Sequence, residues 1–303
     1  MKTLILKLTY YIFSRILISC DIFFRKICNI NYFLPWIHDY IESKQYFSQR
    51  IDKKKINFFC PSRQTLRRVE NLFKKEPETL NWINNFKPYN SNKIIFWDIG
   101  ANVGLFSIYA AAKFQNIKIF SFEPSTSNTR TLSRNISINK FNEKINIFPL
   151  ALSELENNFA SFDEKIFSEG SSNSTFNNNN EFNIQNTKMN QIENRYNIFG
   201  TSIDYLILNN IIQIPNYIKI DVDGIEYLIL KGAKNLLKND SLLELSIEMN
   251  PSSLKEYNLI YEYMKENEFE LAVSTNKNLL ANNEYKLKLN ETVNVVFKRK
   301  SKF

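Results

Sequence analysis

Glycine, histidine and cysteine are all scarce in this chain: its 303 residues include six glycines, one histidine and three cysteines. The lone histidine, His38, speaks against histidine-based metal sites and against a Ser-His-Asp triad. Cys20, Cys28 and Cys60 show no C-x-x-C spacing and cannot all pair, so neither a disulfide framework nor a zinc site is expected. No uninterrupted apolar run reaches the ~18 residues of a membrane span. Lys7 and Arg15 break the apolar N-terminal segment and no A-x-A-like site follows it, so it does not read as a signal peptide. Arg15 is also misplaced for lipoprotein-type cleavage before Cys20. No RNP-type segment, zinc finger or base-reading basic helix is present, so no specific nucleic-acid partner is expected.

What is present is enough for a core: 44% hydrophobic and 14% aromatic residues exclude global disorder. The net charge of +8 and pI near 9.1 point toward anionic surfaces. Much of that excess is lysine in Asn/Ile/Lys-rich sequence, which biased composition also explains.

The most informative stretch is residues 94–104, IIFWDIGANVG. Ile94, Ile95, Phe96 and Trp97 form the continuous apolar run of a strand buried on both faces. Asp98 stands at its end, Gly100 and Gly104 frame a tight turn, and a helix is expected from Leu105. This is the opening of a nucleotide-binding βα unit. A dinucleotide site would want G-x-G-x-x-G, but Asn102 occupies the place of the middle glycine. Asp98 would repel a phosphate and suits an ammonium. A second apolar strand, residues 117–122, closes on Glu123, 25 positions after Asp98 (123 − 98), where such units place a ribose-binding carboxylate. An acid for an ammonium, an acid for a ribose and no phosphate cradle describe S-adenosylmethionine. The alternative is an ordinary α/β sheet whose strand-end acids cap helices.

FWDIGANVGLFSIYAA, FSFEPSTSNTRTLSRNISIN, FPLALSE and YIKIDVDGIEYLILKGAKNLL resemble, in that order over about residues 94–248, the successive motifs of FkbM-type methyltransferases. IKIDVDGIEYLILKGA is the most specific of them. The family usually has Glu where this chain has Asp223, a shortening that keeps the charge. The resemblance implies an α/β, class I methyltransferase (Rossmann-like) fold: a seven-stranded, mostly parallel sheet with helices on both faces. It also implies S-adenosyl-L-methionine as donor and usually an oxygen acceptor on a sugar, glycolipid or natural product. The expected function is therefore O-methylation of a sugar, glycolipid or polysaccharide-precursor hydroxyl in the cytoplasm. N- or protein methylation, or a non-catalytic cofactor-binding scaffold in a glycan-assembly complex, are the alternatives.

Residues 1–30 suggest a helix that packs on the catalytic domain or lies on the inner membrane surface. Pro88, Asn90 and Asn92 give turn chemistry, which places a boundary between a helical extension, 1–90, and the methyltransferase domain, 91–303. A helix is expected near 78–86, a third strand at 145–150 with Ala151 beside the adenine, and a short strand at 159–162. The asparagine-rich segment 169–194 reads as a mobile loop whose front could act as a lid. Alternating strands and helices argue a parallel sheet, and 292–298, TVNVVFK, fits an antiparallel last strand. The candidate cofactor-binding set is Asp98, Gly100, Asn102, Gly104, Glu123, Pro124 and Ala151.

Residues 217–220 form another buried strand, ending at Asp221, with Asp223, Gly224 and Glu226 beyond. In open α/β sheets ligands bind beyond the carboxyl ends of the strands. With no histidine in this region, a carboxylate must take the proton of an acceptor hydroxyl. Asp221 is the first choice and Glu248 the second, with Lys219 available to steer an anionic substrate. Asp221, Asp223 and Glu248 also offer an oxygen set that Mg²⁺ accepts, a reading permitted but not favoured.

Overall fold

The computed structural model describes residues 2–90, 92–155, 157–172, 174–177, 192–249, 254–272 and 292–300. The chain divides into two compact units, Met1–Tyr46 and Phe47–Phe303. The first unit is a helical hairpin of α1 (Lys2–Ile27) and α2 (Phe33–Glu42). Asn29 turns the chain with φ 55°, and the rings of Phe24 and Phe33 stack with centroids 4.9 Å apart. Among the described residues no helix is long and apolar enough to cross a membrane.

Next comes a β-hairpin, β1 (Tyr46–Ile51) and β2 (Lys54–Phe59), where a helical pattern was expected. Asp52 and Lys53 between them have φ 46° and 66°, the two positive values of a type I′ turn. Ile56 and Phe58, two apart, both point into the core, which is strand periodicity. Three short helices follow: α3 (Arg63–Glu70), α4 (Leu72–Lys75) and α5 (Pro77–Asn84). Ser62 and Thr65 form a reciprocal capping box on α3, and proline opens α5 where its missing N–H costs nothing.

Strand and helix then alternate: β3 (Ile94–Ile99), α6 (Leu105–Lys113), β4 (Ile117–Phe122), α7 (Thr126–Ile138) and β5 (Ile145–Phe148). Four strands form an added sheet, β6 (Ala151–Leu152), β7 (Asn158–Glu164), β8 (Ser174–Asn177) and β9 (Asn194–Thr201), in the order β6-β9-β7-β8. The chain continues through α8 (Ile203–Leu208), β10 (Tyr217–Ile220), α9 (Glu226–Lys231), β11 (Glu244–Met249), α10 (Leu254–Glu266), β12 (Phe269–Leu271) and β13 (Val293–Arg299). The helix start expected at 250–251 lies outside the described residues.

The main sheet has seven strands in the order β12-β13-β11-β10-β3-β4-β5. β11, β10, β3, β4 and β5 run parallel, while β13 is antiparallel to both its neighbours. The doubly covered, mostly parallel sheet expected from sequence is therefore present, with its antiparallel last strand. Phe96, Ile119 and Ile145 face one core; Trp97, Phe120 and Ile218 face the other.

Residues 47–86 are not an appendage to this sheet. Val69, Leu72, Leu80, Trp82, Ile83 and Phe86 share one core with Phe96, Ile108 and Ile119. Trp82 Nε1 donates to Glu244 Oε2 of β11 at 2.6 Å, and Phe86 stacks on Tyr217 of β10 at 3.8 Å. The turn at 88–92, expected as a domain boundary, lies inside this unit because the segment before it covers one face of the sheet. Trp82→Ala is expected to lower stability by about 3–5 kcal/mol, the usual loss for a large core aromatic. Urea unfolding followed by fluorescence and by circular dichroism should give one shared transition, as a single core requires.

Candidate active site

The loop after β3 is built on glycine for a steric reason. Gly100 has φ +79°, and a Cβ there would sit 1.9 Å from the carbonyl oxygen of Asp221. Gly104 caps α6 in the left-handed region at φ +84°, with Leu132 Cδ1 2.3 Å from where its Cβ would be. The loop is tied to the next strand end: Gly100 N and Ala101 N both donate to Phe122 O at 3.0 Å. Asn102 N donates to Glu123 Oε2 at 2.7 Å, and Asn102 Nδ2 to Ser171 O at 2.7 Å.

Beyond these strand ends lies a cleft with about 760 Å³ of empty space. Five of the seven expected cofactor residues line it: Gly100, Asn102, Glu123, Pro124 and Ala151. Its apolar lining includes Phe122, Leu150, Leu152 and Phe162, and its polar lining Glu123, Asn128, Asp221 and Asp223. Apolar walls with a few convergent polar groups are the lining of a small-molecule site. Glu123 accepts from Ser125 N, Asn128 Nδ2 and Asn102 N. Of the roughly four acceptor positions on a carboxylate, that leaves capacity for a ribose hydroxyl.

Two expected contacts are not made. Gly104 shapes the loop from behind and does not line the cleft. Asp98 is 1% exposed and also lies off the wall. Its Oδ2 accepts from Ser107 Oγ of α6 at 2.5 Å, Ser107 pairs in turn with Ser121 Oγ at 2.7 Å, and its Oδ1 has no hydrogen-bond partner. Strand alternation is the cause, since Asp98 shares the Phe96 face of β3, toward α6. The acid expected to meet an ammonium from β3 is thus turned inward, while Glu123, Asp221 and Asp223 are the carboxylates that line the cleft.

Lys219 is 0% exposed and cannot steer a substrate. It stands in register with Asp98 on one side and Ser246 on the other. Its ammonium pairs with Asp221 and lies 4.7 Å from the ring centroid of Phe106. The front of the expected lid is anchored. Ser62 Oγ donates to Glu169 O and Arg68 Nε to Gly170 O, each at 2.6 Å, and Gly170 N donates to Asn128 Oδ1 at 2.8 Å. Ser174 N, the first amide of β8, donates to Asp223 Oδ2 at 3.1 Å. Residues 178–191 of that segment lie outside the described residues.

A model of the methyltransferase FkbM domain matches residues 98–271, more than half of the chain. The chain belongs to the FkbM methyltransferase family. A search of curated proteins by sequence found no match. Among solved structures, an FkbM methyltransferase from Methylobacillus flagellatus KT is similar at 13% identity and TM-score 0.45, over 88% of this chain and 60% of that one. The chain thus spans about three fifths of that protein's length. A precorrin-6y C5,15-methyltransferase from Geobacter metallireducens GS-15 is similar at 13% identity and TM-score 0.41, over 74% of this chain and 86% of that one. TrmK of M. capricolum, solved with S-adenosyl-homocysteine, shows 12% identity and TM-score 0.39, over 74% and 68%.

The electrostatics of this FkbM-family site separate its carboxylates. Burial would raise the Asp221 carboxyl, but the Lys219 ammonium holds it below its usual value, helped by Lys75 and Arg68. Burial opposes the charge on Lys219, yet Asp221, Glu76 and Asp98 outweigh it and raise the ammonium above its ordinary value. Glu248 is pushed up to about 8 by burial and by the charges of Asp221 and Asp223. Burial pushes Glu123 up to about 7 against the amides it accepts from. Among the described residues no three His, Cys, Asp or Glu side chains form a group that could hold a metal.

A second cleft, with about 480 Å³ of empty space, opens on the other side of the glycine loop. Arg68, Asn71, Leu72, Lys75 and Glu76 supply one wall, Leu105 and Phe106 another. The two clefts share Gly100, Asn102 and Asp221. Sequence reasoning missed this wall, having assigned residues 63–76 to a separate extension. It also missed Asn128, whose only signal was a polar residue on the inward face of α7.

The raised carboxyls make stability depend on pH. Folded values near 7 and 8, against about 4.3 in the unfolded chain, mean that the native state holds protons the unfolded state releases. Their contribution is complete below the unfolded value and is lost as pH rises through 7 and 8. The melting temperature is therefore expected to fall between pH 5.5 and pH 8.5, and to fall less in Glu248→Gln and Glu123→Gln, as scanning calorimetry would show.

Proposed function

We propose that this protein is an S-adenosylmethionine-dependent O-methyltransferase whose acceptor is a sugar-type molecule. The meeting of two clefts at Asp221 carries the reading: one has the mixed apolar and polar lining of a donor site, and the other, walled by Arg68, Lys75 and Glu76, offers polar and charged groups to an acceptor. Bound S-adenosylmethionine supplies a methyl group already activated by a positive sulfur. The protein's part is alignment and proton removal. Glu123 receives the ribose hydroxyls, and Gly100 lets backbone approach the donor closely. Asp221 keeps its negative charge where the clefts join, so it faces the positive end of the donor and orients the acceptor hydroxyl.

Asp221 is a weak base for the same reason that it stays charged. Glu248 lines neither cleft but continues the row of Asp221 on the neighbouring strand, since Ile220 pairs with Ile247, so it stands beside the group the clefts share. Its value of about 8 matches proton removal near neutral pH far better. We assign it the acceptor hydroxyl's proton. The same titrating carboxylate favours a hydroxyl acceptor, which must lose a proton as the new bond forms.

The test is methyl transfer from labelled donor to acidic and neutral sugars, with the product bond read by NMR. A methyl ether is expected. An N-methyl product, or binding without turnover, would overturn the assignment. The rate should rise with pH to a plateau, half-maximal near pH 8, because the base acts deprotonated. Glu248→Gln should abolish that rise and lower kcat by roughly 10²-fold or more. Asp221→Asn should also raise KM for the donor.

A further inference from the structure

The helical hairpin of the first unit carries a long run of exposed apolar side chains. Ile5, Ile12, Phe13, Ile16, Phe23 and Ile27 of α1 are 49% to 70% exposed. At 3.6 residues per turn they fall on one face. Lys7, Ser14, Asp21 and Arg25 recur at seven- and four-residue intervals on the opposite side, interrupted there by exposed Tyr11 and Ile18, so α1 is apolar over most of its circumference. Asp21 is neutralised by Arg25 at 2.8 Å. Arg15 and Lys26 sit at the borders of the apolar face, where a long stem lies along apolar surface and its charge reaches outward. On α2, Tyr32, Trp36 and Tyr40 follow at four-residue steps, 64% to 65% exposed, and Tyr32 stacks on Trp36 at 6.5 Å.

An apolar face of this length is not left in water without a partner. Its chemistry selects the partner. Side chains reaching from an apolar stripe to flanking cations, with Trp and Tyr beside them, match the depth profile of a bilayer interface. The cations of α1 match anionic head groups. Arg15 and Lys26, at the borders of the apolar face, are the cations placed for those head groups, while Arg25 is paired with Asp21 and α2 carries Asp39 and Glu42. We infer that the α1–α2 hairpin is a lipid-binding element that lies flat on anionic membrane with Ile12, Phe13, Ile16 and Phe23 buried among the acyl chains. A helix of 26 residues with Arg15 and Asp21 within it lies in the interface and does not span. The inference is independent of the reaction proposed above, and its test needs neither donor nor acceptor.

The full chain is mixed with phosphatidylcholine vesicles with and without about 30% phosphatidylglycerol and sedimented. It should pellet with the anionic vesicles, less with phosphatidylcholine alone, and less again in about 0.5 M salt, which screens the head-group attraction. Phe13→Glu/Ile16→Glu should weaken partitioning by about tenfold or more, since it places charge in the acyl region. Arg15→Glu/Lys26→Glu should abolish the preference for anionic lipid. These side chains are exposed, so circular dichroism and melting temperature should be unchanged, which separates loss of binding from loss of fold. Failure of the full chain to pellet with anionic vesicles overturns the inference, as does equal binding by both variants. Self-association in sedimentation velocity that Phe13→Glu/Ile16→Glu abolishes, without vesicle binding by the full chain, overturns it in favour of a second copy.

Discussion

Lys219 is wholly withdrawn from solvent at the centre of the parallel sheet, and an ammonium there costs several kcal/mol unless carboxylates face it. Much of the site's arrangement follows from meeting that requirement. Asp98 lies beside it in register on β3, Asp221 pairs with it from its own strand end, and Glu76 adds charge from the turn into α5. Asp221 is thereby kept ionised at the junction of the two clefts. Its charge, together with burial, pushes Glu248 toward neutral pH. One buried cation thus divides two nearby acids into a fixed charge and a titrating group, the separation that acid–base chemistry needs.

The segment before β3 is part of this arrangement. Trp82 is bonded to Glu244, and Asn294 of β13 donates to Glu76 at 2.9 Å. Ser62 and Arg68 of the α3 region hold the loop at Glu169 and Gly170 against the cleft mouth. Residues 47–86 therefore close one face of the sheet, supply the wall of the second cleft and set the edge of the first.

Much of the architecture was legible in the chain itself. β3, β4 and β10 are buried on both faces, so each is mostly apolar, and the acids that directly follow β4 and β10, Glu123 and Asp221, line the cleft. The antiparallel β13 announced itself by β-branched alternation. The β1–β2 hairpin did not, because its turn uses Asp52 and Lys53 at positive φ where glycine or asparagine would have been the signal. The boundary was read from Pro88, Asn90 and Asn92, which mark a turn and carry no information about what packs across it. The direction of Asp98 was hidden for a related reason: alternation gives the parity of a strand but not which helix covers each face. Lys219 and Asp221, two apart, did share a face in the sequence, and their pairing was within reach of that reasoning.

The central claim is that a buried Lys219–Asp221 pair holds the sheet edge together, and a double-mutant cycle in urea tests it most directly. Lys219→Met alone should lower stability by about 3–5 kcal/mol, because it leaves carboxylates in the sheet without a counter-charge. Lys219→Met with Asp221→Asn should recover a substantial part of that loss, giving a coupling of about 1–3 kcal/mol between the two sites. A nearly neutral Lys219→Met, or two substitutions whose effects simply add, would contradict the account.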